Sequence, residues 1–305
     1  MMNQKLRGGL FVFFGACSFG VLSTIVKTAY AHGYQLGEIT GSQTLFGVLI
    51  LWGLYFAQKY LFKSANKSES SEEISVPKSS WWKIMLAGTF TGLVGIFYYQ
   101  CVKLIPASIA IIMLMQYLWI SILIEAVVFK KKPQKIQIVA ALVVFVGTIF
   151  AGGVFNESLS LNPMGILFGF LAAISYSVFL MTSGRIGTDL PVLKKSALMI
   201  TGSMILTWII FPPLFLINGV FIGGLFKWGL ALAALGTVIP PLFFSIGVPK
   251  VGVSLGAILS SAELPVAVIS SSFILKENVT LLQWVGVCII LAAIIFTNLR
   301  VKENL

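Results

Sequence analysis

Charge is scarce in this chain. Only 10% of its 305 residues are Asp, Glu, Lys or Arg, against about 25% in a typical soluble domain. A surface so poor in charge is tolerable when most of it faces lipid, which excludes the pair of soluble domains that length alone would suggest. Histidine is scarcer still, His32 being the only one, so a His-based metal site or Ser-His catalysis would hang on that single residue. Neither H-E-x-x-H nor G-x-x-x-x-G-K-[ST] occurs, which removes zinc-protease and phosphate-loop chemistry. The three cysteines (Cys17, Cys101 and Cys288) lie far apart inside apolar runs, without metal-ligand spacing. The expectation is a protein that is not an enzyme and holds neither metal nor cofactor.

What is abundant is apolar: 58% of residues are hydrophobic and the mean hydropathy is +0.98. A bilayer core about 30 Å thick needs about 20 apolar residues per helix. On that scale ten spans are predicted, near 10–30, 39–58, 84–102, 105–128, 136–155, 164–183, 197–217, 228–248, 252–275 and 281–299. The first is preceded by Lys5 and Arg7 and ends in Ala29-Tyr30-Ala31, which imitates a signal-peptide cleavage site. Its apolar run is too long for a signal, and Lys27 falls where such a site is neutral, so it reads as an uncleaved span. The one long polar stretch, residues 59–83, contains SANKSESSEEIS and reads as a solvated loop.

The net charge of +11 is a topology signal. With the N-terminus cytoplasmic, 17 Lys and Arg fall in inner segments and four (Lys27, Lys103, Lys227 and Lys276) in outer ones, which accounts for all 21. This places both termini inside and argues against a nucleic-acid partner.

The two halves resemble each other. A shift of 146 lays IFYYQCVKLIPASIAI over LFFSIGVPKVGVSLGA and pairs Lys130 with Lys276; a shift of 157 pairs Gly8, Leu10, Phe11 and Phe13 with Gly165, Leu167, Phe168 and Phe170. The implied units are residues 1–155 and 156–305, each of five spans. An odd number of spans per unit forces the copies to be antiparallel. The expected fold is therefore an all-α polytopic membrane protein of two inverted five-helix repeats, the plan of many secondary transporters.

Residues that could carry chemistry sit at mid-depth. Pro240, Pro241 and Pro265 fall mid-way along spans eight and nine, and the matching positions of the first half are Val94, Gly95 and Trp119, with Gly92 nearby. Interrupted helices at corresponding places point to a midplane site; plain packing kinks are the alternative. Glu263 is roughly 16 Å into its helix, eleven residues at 1.5 Å each, where a carboxylate costs a few kcal/mol. It is expected to face the interior, in proton coupling or attraction of a substrate amine, or else as a structural acceptor for Ser260, Ser261 or backbone freed near the proline. Tyr and Trp at span centres need hydrogen-bond partners, which favours inward positions for Tyr117, Trp119 and Tyr176; Tyr98 and Gln116 join them as expected binding residues. Glu125, close to Lys130, Lys131 and Lys132, reads as a snorkelled interfacial pair. Gly88-x-x-x-Gly92, Gly165-x-x-x-Gly169 and Gly252-x-x-x-Gly256 permit close helix approach, within the chain as well as between chains, so they specify no oligomer.

The stretch SSAELPVAVISSSFILKENVTLLQWVGVCIILAAIIF resembles the ninth and tenth helices of the EamA-type family in the drug/metabolite transporter superfamily, with Pro265, Val266, Glu277, Gln283 and Gly286 at the matching positions. GILFGFLAAISYSVFL resembles the sixth helix, and SFGVLSTIVK the first, whose closing lysine is Lys27. The family's Trp-Gly pair in the first helix is Phe19-Gly20 here, and its arginine early in the second is Gln43. The resemblance implies a transporter of small polar metabolites such as amino acids, mostly outward, across a bacterial cytoplasmic membrane. It also implies a cavity lined by helices one, three, four, six, eight and nine, with Lys27 as a partner for substrate or carboxylate. Relatives that exchange nucleotide sugars or phosphorylated sugars supply the alternative substrate class. An intramembrane enzyme would need a second deep carboxylate or a deep histidine, and a scaffold would have no use for Glu263. The partners expected are a small-molecule substrate, the lipid bilayer and, through Glu263, protons.

Overall fold

The computed structural model describes residues 4–63, 80–105, 107–128, 130, 132–151, 162–274 and 279–303. Among them there is no strand. The first half holds α1 (Gln4–Gly20), α2 (Leu22–Ala31), α3 (Leu36–Lys63), α4 (Trp81–Leu104), α5 (Ala107–Met115), α6 (Tyr117–Val128) and α7 (Lys135–Ala151). The second half holds α8 (Pro163–Arg185), α9 (Val192–Ile210), α10 (Phe226–Leu232), α11 (Ile239–Val251), α12 (Val253–Ser260), α13 (Glu263–Ile274) and α14 (Leu281–Glu303). Wider π-turns at Phe221–Leu225 and Ala233–Val238 join α10 and α11 into one rod, Phe221–Val251.

Among the described residues eight rods are long and apolar enough to cross a bilayer, and α7 and α14 contribute shorter apolar helices, Lys135–Ala151 and Leu281–Phe296. The chain is thus a multi-pass membrane protein. Local sequence sets the ends. Asn162 accepts the Met164 N–H at 2.9 Å and Pro163 occupies the first helical position of α8, a preorganised start. The seventh span is displaced from its predicted 197–217. It starts at Val192, just after Pro191, and stops at Ile210, because Pro212 and Pro213 cannot continue a helix. The eighth is longer than expected, helical from Phe221. The loop expected at 59–83 is trimmed by α3 and α4; residues 64–79 lie outside the described residues, as does Glu277.

Packing is reciprocal between the halves. Helix α1 lies along α11 while its counterpart α8 lies along α4, and α3 packs on α9 as α7 packs on α14. Exchanging the halves maps each contact onto its counterpart or onto itself, as a two-fold relation requires. The closest approach is between α4 and α9. A Cβ on Gly88 would lie 1.9 Å from Met199 O, and one on Gly202 would lie 1.9 Å from Met85 O, so the two backbones touch. Gly92, Gly165 and Gly169 are likewise pressed against neighbouring helices. The Gly252/Gly256 pair is not such a seam: Gly252, at φ 86°, caps α12, and the nearest atom to a Cβ on Gly256 is 3.5 Å away.

The expected helix breaks are partly relocated. Helix α4 runs unbroken through Gly92 and Gly95, so neither interrupts it. Pro240 and Pro241 sit at the start of α11, and the π-turn before them keeps the rod continuous. Pro265 falls in the first turn of α13, and the break lies just ahead of it, at Ser261-Ala262. The first half breaks at the matching position: Gln116 separates α5 from α6, and 116 shifted by 146 is 262. At each break a side chain donates to a carbonyl of the preceding turn; in the first half the Gln116 N–H has shifted to Met113 O, which leaves Ile112 O to be satisfied in this way, while Ile258 O accepts the Ser261 N–H as well. Gln116 Nε2 donates to Ile112 O at 3.0 Å, and Ser261 Oγ donates to Ile258 O at 2.6 Å. Ile112 and Ile258 are themselves paired by the same shift.

Candidate functional site

The residue that opens each post-break helix differs between the halves. In α6 it is Tyr117 and in α13 it is Glu263, equivalent positions under the 146-residue shift. Helix α1 also ends against Glu263, since a Cβ on Gly20 would lie 2.4 Å from its carbonyl oxygen. Glu263 is 6% exposed and its Oε2 has no hydrogen-bond partner. Four tyrosines, Tyr98, Tyr99, Tyr117 and Tyr176, lie within electrostatic reach of the carboxylate.

Glu263 lines a cavity between the halves. The first half contributes Phe19, Gln43, Thr91, Tyr98 and Tyr99; the second contributes Tyr176, Phe179, Ser203, Thr207 and Thr237. Gly92 and Gly95 are also in the wall, and nothing lies within 4 Å of a Cβ built on Gly95. The volume is about 50 Å³. Each water needs about 10–15 Å³ on this measure, so the cavity holds a few waters and must widen to admit a metabolite. Seven of the buried side-chain atoms that lack a partner belong to residues that line it: those of Thr91, Tyr98, Tyr176, Ser203, Thr207, Thr237 and Glu263. Buried polar groups are ordinarily satisfied, so this concentration marks a place built for a polar occupant. Gln43 is engaged, accepting the Tyr99 hydroxyl at 3.1 Å. Among the described residues of the lining there is no Lys, Arg or His.

The expected binding residues divide. Tyr98 and Tyr176 line the cavity with Glu263. Tyr117 stands one layer behind, edge-on to Tyr176 at 4.5 Å, with its hydroxyl donating to Ala257 O at 3.3 Å. Trp119 is elsewhere. It is 41% exposed on the outer face of α6, because its indole N–H reaches Gln116 Oε1 at 2.8 Å and needs no interior partner. Gln116 is therefore committed to the helix break and to Trp119, and does not reach the cavity. Lys27 is exposed near the end of α2, away from the lining.

A family model describing EamA-like transporters matches residues 6–153 and again 163–299. The chain belongs to the EamA-like transporter family. The two matches are its two repeats. A solved structure, described only as the crystal structure of a protein, aligns with 98% of this EamA-like chain over 98% of its own length, at TM-score 0.75 and 15% identity. At that identity the likeness concerns the fold alone. No curated protein matches. Phe19, at the family's tryptophan position, and Gln43, at its arginine position, both line the cavity, so both departures fall where a ligand would be read.

Two charged residues are better placed than their sequence context suggested. Glu125 is turned into the protein and not out to the interface. It is 4% exposed and accepts the Ser254 N–H at 2.8 Å and the Ser254 hydroxyl, with Arg185 Nη2 at 3.9 Å. A first-half carboxylate thus caps the N-terminus of α12 in the second half. Lys195, counted as an inner-loop cation, is 2% exposed and donates from Nζ to Ser183 O at 2.7 Å, in the last turn of α8.

Proposed function

We propose that this EamA-like protein is a secondary transporter that moves a small polar metabolite, an amino acid or related compound, outward across a bacterial cytoplasmic membrane by alternating access. The observation that carries the reading is the buried Glu263 carboxylate, its Oε2 without a hydrogen-bond partner, in a cavity walled by both repeats. In this proposal α7 and α14 also cross the bilayer, giving ten spans as five plus five in opposite orientation. The 17-to-4 distribution of basic residues favours both termini inside. Glu263 binds a proton or the substrate amine, and the repeats rock about it so that the cavity opens to one side at a time. Tyr98 and Tyr176 line the path; Tyr117 braces Tyr176.

Exchange of sugar phosphates or nucleotide sugars is the second reading. It is disfavoured by a described lining that offers a dianionic phosphate one carboxylate and no cation.

The test is flux into liposomes holding the purified chain, with labelled amino acids and sugar phosphates, with and without a pH gradient. Amino-acid flux that the gradient accelerates is expected. Absence of substrate-dependent flux across the whole panel would sink the transporter reading. Glu263→Gln is expected to abolish the pH dependence; if transport and its pH dependence both survive, the coupling role is gone.

A further inference from the structure

Serine and threonine in apolar helices usually turn their hydroxyls back onto a carbonyl three or four residues earlier. Thr40, Thr44, Thr148 and Ser260 do so here at 2.7–3.0 Å. Thr91, Ser203, Thr207 and Thr237 do not: each is at most 9% exposed, each lines the cavity, and none has a partner. They come from three elements, α4, α9 and the π-turn before α11, so no single helix explains them. Two of them, Ser203 and Thr207, converge. Ser203 and Thr207 are one turn apart on α9, and a Cβ on Gly92, next to Thr91, would lie 2.8 Å from Ser203 Oγ and 3.3 Å from Thr207 Oγ1. The absent side chain at Gly92 is what makes room for the Ser203 and Thr207 hydroxyls in the α4–α9 seam at the edge of the cavity.

Resting on the transport reading above, we propose that this hydroxyl cluster is the subsite for the carboxylate of a zwitterionic substrate whose ammonium group is held at Glu263. An ionised carboxylate is acceptor-only, with about four lone-pair sites on two oxygens. A set of hydroxyls can turn every proton toward it, and each hydroxyl is left buried and unsatisfied when it is absent. A protonated amine at this end would find acceptors but no counter-charge, and a phosphate would bring a second negative charge that hydroxyls alone do not offset. The aromatic wall of Phe19, Tyr98, Tyr176 and Phe179 flanks the substrate's body. The cluster therefore discriminates an amino acid from the amine or ester that shares its side chain, because a site built to hydrogen-bond one group rejects the analogue lacking it.

The test uses the full chain in liposomes. Each of the twenty labelled amino acids is offered, and flux of those transported is competed with the unlabelled amino acid, its methyl ester and its decarboxylated amine. In the wild type, ester and amine are expected to compete at least about tenfold more weakly. Ser203→Ala and Thr207→Val are expected to raise the half-saturating amino-acid concentration about tenfold while competition by the amine changes less than about twofold, and Thr207→Ser, which keeps the hydroxyl, restores the wild-type value. The inference is overturned if ester or amine competes as well as the amino acid, or if the variants weaken all three alike. Flux of amines or sugar phosphates without amino-acid flux overturns it while leaving transport standing. Absence of all flux removes the transport reading itself.

Discussion

The bond between Glu125 and Ser254 ties the first half to the second and has a measurable strength. Glu125→Ala removes an acceptor that takes both the N–H and the hydroxyl of Ser254. Hydrogen bonds to a charged group contribute about 1.5–3 kcal/mol each, and loss of an N-cap costs about 0.5–2 kcal/mol. The Arg185 side chain is 40% exposed, so its ion pair adds only about 0–1 kcal/mol. Desolvation of the carboxylate works the other way, which leaves a net loss of about 3 kcal/mol for Glu125→Ala. Glu125→Gln keeps an acceptor oxygen and should lose about half of that. Ser254→Ala deletes one of the two bonds, so the double-mutant cycle should show a coupling of about 1–1.5 kcal/mol. The assay is reversible unfolding in mixed micelles by denaturing detergent, followed by tryptophan fluorescence. A loss below about 0.5 kcal/mol for Glu125→Ala, or additivity of the two single variants, would refute the cross-repeat cap.

Three further outcomes follow from the packing. Gly202→Ala forces a Cβ into the Met85 backbone and should destabilise by about 3 kcal/mol or prevent folding, whereas Gly53→Ala, with nothing within 4 Å of its Cβ, should gain up to about 1 kcal/mol of helix propensity; equal melting temperatures would contradict the α4–α9 contact. Lys195→Met removes the donor to Ser183 O and should cost about 1.5–3 kcal/mol in the same unfolding assay. Trp119→Leu should change flux less than about twofold while Tyr98→Phe lowers it about tenfold; a large Trp119 effect with an inert Tyr98 would reverse the assignment of the cavity wall.

Much of the architecture was legible because a bilayer imposes a length on every apolar run and the halves repeat. The finer errors have a common cause, which is that local context hides a distant partner. Glu125 stands five to seven positions from three lysines yet is bonded to Ser254, 129 residues away. Trp119 was expected inside because an indole needs an acceptor, and the acceptor was three residues back at Gln116. Glycine and proline advertised breaks at Gly92, Gly95 and Pro240. The first-half break fell instead at a glutamine, whose amide repairs the carbonyl it frees. Glu263 was readable because a deep carboxylate has few explanations. The hydroxyls of Thr91, Ser203 and Thr207 were not, since only the folded chain shows which hydroxyls fail to turn back on their own helix.

The matched breaks at Gln116 and Ser261-Ala262 bear on thermodynamics as well as shape. Each half is interrupted at the same place, and there a side chain donates to the same carbonyl position, Ile112 or Ile258. In the cycle proposed above, inward-open and outward-open forms exchange the roles of the halves, so equivalent breaks in the two halves would carry equivalent backbone cost in each form. The two forms then differ chiefly through side chains such as Glu263 and Tyr117, not through backbone cost. A machine with two nearly isoenergetic end states has no built-in valve. The concentrations of substrate and protons on either side would set its net direction, and reversing those gradients in the liposome should reverse the flux.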